Sequence, residues 1–82
     1  PIARDLGKRG IRVNTIAPGI FETPLLAQAT AEVREPLIAI TQFPKRLGEP
    51  HEFAETVCHI VQCGYMNGET IRLDAGIRMP SV

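Results

Sequence analysis

The residues of this chain whose types and order could do chemistry run from Asn14 to Thr23. They read Asn-Thr-Ile-Ala-Pro-Gly-Ile-Phe-Glu-Thr, directly after the short apolar segment Ile11-Arg12-Val13. Gly19 lets backbone approach a flat ligand, and Ile20 offers an N–H, a C=O and an apolar wall. Phe21 follows in the same run, and Thr23 adds a hydroxyl. With Pro18 shaping the turn, this set suits a ring that carries an amide. On spacing alone a plainer reading is equally open, a Pro-Gly turn that merely ends a strand.

Other reactive side chains are better explained by ordinary surface chemistry. His59 and Cys63 are four apart on one predicted helix, but two ligands do not make a structural metal site, which takes four. With Glu55 one turn before His59, a solvated polar face with an i,i+4 pair is expected there. Glu32 and Glu35, with Arg34 between them, read as solvated charge and not as paired acid–base carboxylates. Asp74 at a strand end reads as a turn former before Ala75-Gly76. His51 reads as a surface residue.

These residues need elements to hold them. Pro1 suits a helix start or the residue after a bend, and Gly7 and Gly10 bracket the stop of that helix. Ile11 to Ala17 alternates as a strand, which Pro18-Gly19 ends because proline cannot continue the ladder. The stretch from Gly19 to Glu49 is far longer than the median connection of about 4 to 6 residues. A connection of that length serves as a lid or binding loop. It contains a helical turn at Pro24-Leu25-Leu26-Ala27 and a helix from Thr30 to Thr41, with Thr30 as N-cap, Val33, Leu37, Ile38 and Ile40 as its apolar side, and Pro36 keeping it short or kinked.

The strongest helical pattern is 50–62. Pro50 stands in its first turn and Glu52 near the positive end of its dipole. Phe53, Ala54, Val57, Cys58, Ile60 and Val61 form a predicted buried face, with Glu52, Glu55, His59 and Gln62 opposite. Asn67-Gly68 turns the chain into a second strand, 70–74, and the tail from Ile77 to Val82 is read as irregular. Strand 11–17, helix 50–62 and strand 70–74 make one crossover unit, which should be parallel and right-handed. In such sheets ligands sit outside the carboxyl ends of the strands, where Pro18 and Gly19 fall. Parallel sheets are stable when extended and covered on both faces, so two strands imply further strands upstream.

Composition narrows the function classes. At 44% hydrophobic and 22% charged residues, the chain is too apolar for a disordered segment. Its 82 residues allow at most one domain. Nine basic residues balance nine acidic ones, which argues against nucleic acid or an anionic membrane as partner. Cys58 and Cys63 read as thiols of a reducing compartment, so an intracellular location, cytoplasm or mitochondrial matrix, is expected. No apolar run reaches the roughly 18 to 20 residues of a membrane span, and no signal-peptide order is visible.

Three groups of residues stand in a familiar order: Asn14-x-x-x-Pro18-Gly19-x-x-x-Thr23, then Arg46-x-Gly48-x-Pro50-x-Glu52, then Gly68-x-x-x-x-x-Asp74-x-Gly76. Together they resemble the C-terminal third of the short-chain dehydrogenase/reductase family, and the resemblance covers essentially the whole chain. The run Phe43-Pro-Lys-Arg-Leu-Gly48 and the ending from Gly68 look most like the branch acting on 3-hydroxyacyl-CoA and 17β-hydroxysteroids.

The resemblance implies an α/β fold: the C-terminal portion of a doubly wound, Rossmann-type parallel sheet, comprising its last two strands, a crossover helix and a substrate lid at 20–49. It implies hydride transfer between a nicotinamide cofactor, NAD(H) with NADP(H) as alternative, and a secondary alcohol or ketone on an apolar small molecule. Pro18, Gly19, Ile20, Phe21 and Thr23 then hold the cofactor. Leu25, Leu26, Leu37 and Phe43, with Ile40, face the substrate, although ordinary packing explains any one of them as well. A homo-oligomer, dimer or tetramer, built through helix 50–62 and strand 70–74 is implied by the resemblance alone. The family's catalytic Ser, Tyr and Lys match nothing here: Tyr65 is followed four residues later by Glu69 and not by lysine. A non-catalytic Rossmann-like binding or scaffold protein is the rival reading.

Overall fold

Two short strands lying side by side organise the chain. The computed structural model describes residues 1–78, in the order α1 (Ile2–Gly7), β1 (Thr15–Pro18), α2 (Pro24–Ala27), α3 (Ala31–Ala39), α4 (Pro50–Gln62) and β2 (Thr70–Leu73). β1 and β2 pair in parallel, with Thr15 opposite Thr70 and Pro18 opposite Leu73. The expected residues 79–82 of the irregular tail lie outside the described residues.

The parallel pairing and the crossover through α4 match the sequence reading, but the strand bounds differ. β1 starts at Thr15 and not at Ile11. The preceding backbone is already committed elsewhere: Ile11 N–H donates to Leu6 C=O at 3.1 Å, closing α1. Val13 N–H donates to Asn67 Oδ1 at 3.0 Å. Asn14 spans the gap with its side chain, Nδ2 donating to Met66 C=O and Oδ1 accepting from Glu69 N–H. A paired asparagine clasp thus replaces the first rungs of the ladder.

Pro18 is the last residue of β1 and does not stand outside it. Thr15 N–H donates to Glu69 C=O and Gly19 N–H to Leu73 C=O, both at 2.9 Å. Alternation then turns the Pro18 nitrogen toward the opposite edge, where its missing N–H costs this pair nothing. β2 stops at Leu73 because Asp74 turns the chain, its Oδ1 accepting from Gly76 N–H at 3.0 Å. α3 is shorter than the predicted 30–41 helix: Thr30 stands at the N-cap position in extended conformation, without a side-chain capping bond, and Ile40 ends it.

α4 departs most from its predicted burial. Ala54, Cys58 and Val61 are exposed, and so are the edges of Phe53 and Val57, whereas Glu52, Thr56 and Ile60 are half-buried. Two strands offer too little sheet to cover the whole apolar stripe. The side of α4 turned toward the rest of the chain is therefore rotated toward Glu52-Thr56-Ile60. The only i,i+4 ionic approach on this helix joins His51 and Glu55 at 4.0 Å, among exposed side chains; the expected Glu55–His59 pair does not form among the described residues.

Arg12 ties α4 to the strand. Its Nη1 donates to the carbonyls of Ile60 (2.9 Å), Cys63 (3.1 Å) and Met66 (3.0 Å), and Nη2 donates to Val61 (3.1 Å). One guanidinium thus satisfies the carbonyls a helix end leaves unpaired, with positive charge at the negative end of the dipole.

The core is very small. Leu47, 1% exposed, is its one fully buried hydrophobic residue among those described, and Thr41, at 2%, is the buried polar one. The accessible surface is 6347 Å² for 9.0 kDa, where a compact monomer of that mass has about 4,900 Å². The radius of gyration of 15.9 Å likewise exceeds the roughly 12 Å of a compact chain this long. The 82 residues by themselves should therefore melt broadly, without a cooperative step; a sharp calorimetric transition from the isolated monomer would contradict this. In a complete protein, Arg12→Met should speed amide exchange at residues 60–63 by about an order of magnitude, the loss of roughly one charge-assisted hydrogen bond. Native-state exchange by mass spectrometry reads it directly.

Candidate functional site

The carboxyl end of β1 opens onto a groove of about 430 Å³ lined by Pro18, Gly19, Phe21, Glu22, Thr23, Pro50 and Phe53. Four of the five residues predicted to hold a cofactor therefore meet in one place. The fifth, Ile20, lines a smaller cavity of about 120 Å³ on the other side of Phe21, shared with Thr41, Arg46, Glu52 and Ala75.

Gly19 is needed for a close approach within the protein itself. A Cβ at that position would come within 2.7 Å of Asp74 Cβ and 2.8 Å of Asp74 Cα. The bare face of the glycine is pressed against the end of β2, and this contact sets the turn. Gly48 plays the matching part against Phe21: a Cβ there would lie 2.7 Å from the Phe21 ring. Gly48 N–H donates to Ile20 C=O at 2.9 Å, and Glu22 N–H donates to Gly48 C=O at 2.8 Å, so a single parallel bridge locks Phe21 in place. Its ring then meets Phe53 of α4 edge to face, centroids 6.1 Å apart and planes at 90°.

These bonds decide which groups remain available. The Ile20 carbonyl is engaged by Gly48, whereas its N–H donates to no protein group among the described residues. Thr23 is the N-cap of α2, its Oγ1 accepting from Leu26 N–H at 3.1 Å. A hydroxyl that accepts one bond still has its proton to give. The turn therefore presents two free donors, one on each side of Phe21.

Ion pairs brace the site. Arg46 grips Glu52 through both oxygens, at 2.8 and 3.1 Å, and Glu49 N–H also donates to Glu52 Oε1 at 2.9 Å. The Arg46 fork, aided by that backbone donor, holds the Glu52 carboxyl down at about 2. Arg34 of α3 grips Glu22 at 2.8 and 2.6 Å, which lowers the Glu22 carboxyl from its ordinary range. Asp74 is lowered by Arg72, with Gly76 N–H assisting, and serves the turn as predicted. Of these charged groups, Glu22, Arg34 and Arg46 were not singled out from the sequence as site residues. Glu22 and Arg34 are twelve apart in different elements, a separation with no helical or strand periodicity to betray it.

The residues expected to face a substrate are dispersed. Leu25 and Phe43 are 82% and 83% exposed, Leu26, Leu37 and Ile40 are half-buried, and none of these lines the groove. Tyr65 is fully exposed beyond the end of α4. Among the described residues no group of three or more His, Cys, Asp and Glu is placed to hold a metal ion. No helix among them is long and apolar enough to cross a membrane.

Residues 1–78 match the protein family described as enoyl-(acyl carrier protein) reductase. The chain belongs to the short-chain dehydrogenase/reductase family. It is 54% identical over 79 residues to 3-hydroxyacyl-CoA dehydrogenase type-2 of Bos taurus, covering 96% of this chain and 30% of that protein. It is 37% identical over 81 residues to the 3-oxoacyl-[acyl-carrier-protein] reductase FabG of Vibrio cholerae, covering 95% of this chain and 32% of the relative. The crystal structure of 3-hydroxyacyl-CoA dehydrogenase type-2 from Mycobacterium avium superposes with a TM-score of 0.90 at 47% identity, over 96% of this chain and 31% of that one. This short-chain dehydrogenase/reductase chain thus spans about 30% of the length of these relatives.

Glu52 gives the site a definite acid response. A carboxyl lowered from 4.5 to about 2 in the folded state adds stability above pH 4.5 and loses it as pH falls toward 2. Within that window a Glu52→Gln protein should lose less stability than the native one on acidification. Parallel pH–stability slopes for the two would contradict the Arg46–Glu52 assignment.

Proposed function

We propose that these residues are the C-terminal segment, 1–82, of a single NAD(P)-binding Rossmann domain, with 20–49 as its substrate lid. The parent protein on this reading is an oxidoreductase that moves hydride between a nicotinamide cofactor and a secondary alcohol or ketone. The relatives named 3-hydroxyacyl-CoA dehydrogenase and 3-oxoacyl-[acyl-carrier-protein] reductase support an acyl thioester as the substrate class.

One observation carries the proposal: the turn after β1 sets two unengaged donors, Ile20 N–H and the Thr23 hydroxyl, at the carboxyl end of a parallel strand. A carboxamide on a flat ring is recognised by donors of this kind, its oxygen accepting from an N–H or a hydroxyl. Pro18, Gly19 and the Phe21–Phe53 edge-to-face pair supply an apolar wall beside them. When bound, the nicotinamide supplies the hydride chemistry. This segment binds and orients it, while the proton-moving residues are assigned to another part of the domain. NAD(H) is the proposed cofactor, with NADP(H) as the alternative, because the reaction named for the relative matched at 54% identity, 3-hydroxyacyl-CoA dehydrogenation, oxidises a secondary alcohol to a ketone.

Thr23 separates binding from folding. In the complete protein, Thr23→Ser keeps both the cap and the donor, whereas Thr23→Val loses both. The expected cost of the valine variant is on the order of 1 kcal/mol in NAD affinity for the donor, with about 1 kcal/mol of stability lost with the cap. Titration calorimetry with NAD and thermal melts measure the two separately. Equal NAD affinity in native, serine and valine proteins would remove Thr23 from the cofactor site. A native protein that binds NAD but turns over no 3-oxoacyl-CoA would favour the non-catalytic binding role.

A further inference from the structure

Among the described residues, the hydrogen bonds that fasten α3 gather at its C-terminal end. Thr41, buried just beyond it, donates through Oγ1 to Ile38 C=O at 2.7 Å. Lys45 donates to the carbonyls of Ala39 and Thr41, and Arg78 N–H donates to Ile40 C=O at 3.4 Å. This end rests on the turn that follows β2, where Gln42 N–H donates to Ala75 C=O at 2.9 Å.

Toward its N-terminal end, α3 is joined to the groove by one side chain. Arg34 donates through Nη1 and Nη2 to the two oxygens of Glu22, and Nη1 donates also to Leu26 C=O at 2.7 Å. No other hydrogen bond among the described residues links α3 to the turn or to α2. Both side chains are only 25% exposed, so the fork is shielded more than an ordinary surface pair. Glu22 itself lines the groove between Phe21 and Thr23, and Thr23 caps α2. A single guanidinium therefore holds three pieces in register: the donor turn, α2, and the helix carrying Leu37.

We propose that Arg34 and Glu22 are positioning residues, a latch through which the seating of α3 against the turn and the binding of cofactor at the Ile20–Thr23 turn strengthen each other. This rests on the oxidoreductase reading above. The latch touches neither reacting atoms nor the proposed carboxamide donors. It acts by joining the motion of α3 about its Thr41 end to that of the turn, so that whichever ligand binds first leaves the other's site already ordered. Arg34 is suited to this and lysine is not, because only a planar fork engages both carboxylate oxygens while its Nη1 also reaches the Leu26 carbonyl.

The test uses the complete protein and a pair of ligands that cannot react because both are oxidised, NAD and acetoacetyl-CoA. In the native protein acetoacetyl-CoA should tighten NAD binding by roughly fivefold or more, the lower end of typical site-to-site coupling. In Arg34→Met, Arg34→Lys and Glu22→Gln that factor should fall to within about twofold of unity, with NAD affinity in the absence of acetoacetyl-CoA changing less than the coupling does. Amide exchange across residues 24–39 should rise in the same variants with no added ligand, and the charge-swapped Glu22→Arg/Arg34→Glu protein should recover part of the coupling. Native coupling and unchanged exchange in all three single variants would overturn the latch while leaving the cofactor site intact. A native protein that binds no NAD would overturn both.

Discussion

The parallel pair closes with one hydrogen bond, from Gly19 N–H to Leu73 C=O, and the site grows outward from it. That bond brings the end of β1 so near the end of β2 that only a glycine fits against Asp74. Once the two strand ends are fixed, the chain must leave between them, and Ile20, Phe21 and Thr23 are carried to the open side of the sheet. Gly48 repeats the same logic one layer out, admitting the Phe21 ring where any side chain would block it. The ring in turn meets Phe53, so the wall of the groove is continuous from strand to helix. Two glycines set the site by letting neighbouring protein groups approach them.

With so little buried apolar surface, polar bonds from side chain to backbone do much of the holding. Arg12 gathers the end of α4, the amides of Asn14 and Asn67 clasp the loop before β2, and Lys45 and Thr41 seat the end of α3. Each neutralises backbone groups that an irregular segment would otherwise leave unpaired. The forks of Arg46 on Glu52 and Arg34 on Glu22 add direction, since a planar guanidinium fixes the orientation of the carboxylate it grips. This architecture is strong locally and weak globally. Leu47 alone cannot supply the cooperative core that a free-standing domain requires, which is why the relatives surround the equivalent segment with more than twice as much chain again.

Much of this was legible without coordinates, and the misses share a cause. The bounds of α4 matched because Pro50 marks its first turn and the apolar period runs to Gln62. The parallel relation of the strands followed from the length of the crossover between them. The start of β1 was misplaced because Ile11-Arg12-Val13 has strand-like alternation, and nothing local shows that Asn67 takes its backbone from far along the chain. The buried face of α4 was misjudged for a related reason. Periodicity names the apolar stripe of a helix, but the amount of sheet present decides how much of the stripe is covered. Leu25 and Phe43 were assigned to the substrate from the family resemblance and their apolarity, and the structure leaves both largely exposed without lining the groove.

From the sequence alone come the element types, the parallel topology, the family, and the identity of the turn from Pro18 to Thr23, because these depend on local spacing and on residues close together in the chain. The tertiary structure decided which atoms of that turn are free. Ile20 keeps its N–H while Gly48 occupies its carbonyl, and Thr23 spends its oxygen on α2 and keeps its proton. It also decided that Gly19 faces Asp74 and that Glu22 belongs to Arg34. Apart from the Thr23 cap, which spans three residues, these contacts join residues twelve to more than fifty positions apart. No pattern of local propensity encodes them, since they exist only once the two strands have closed and brought their ends together.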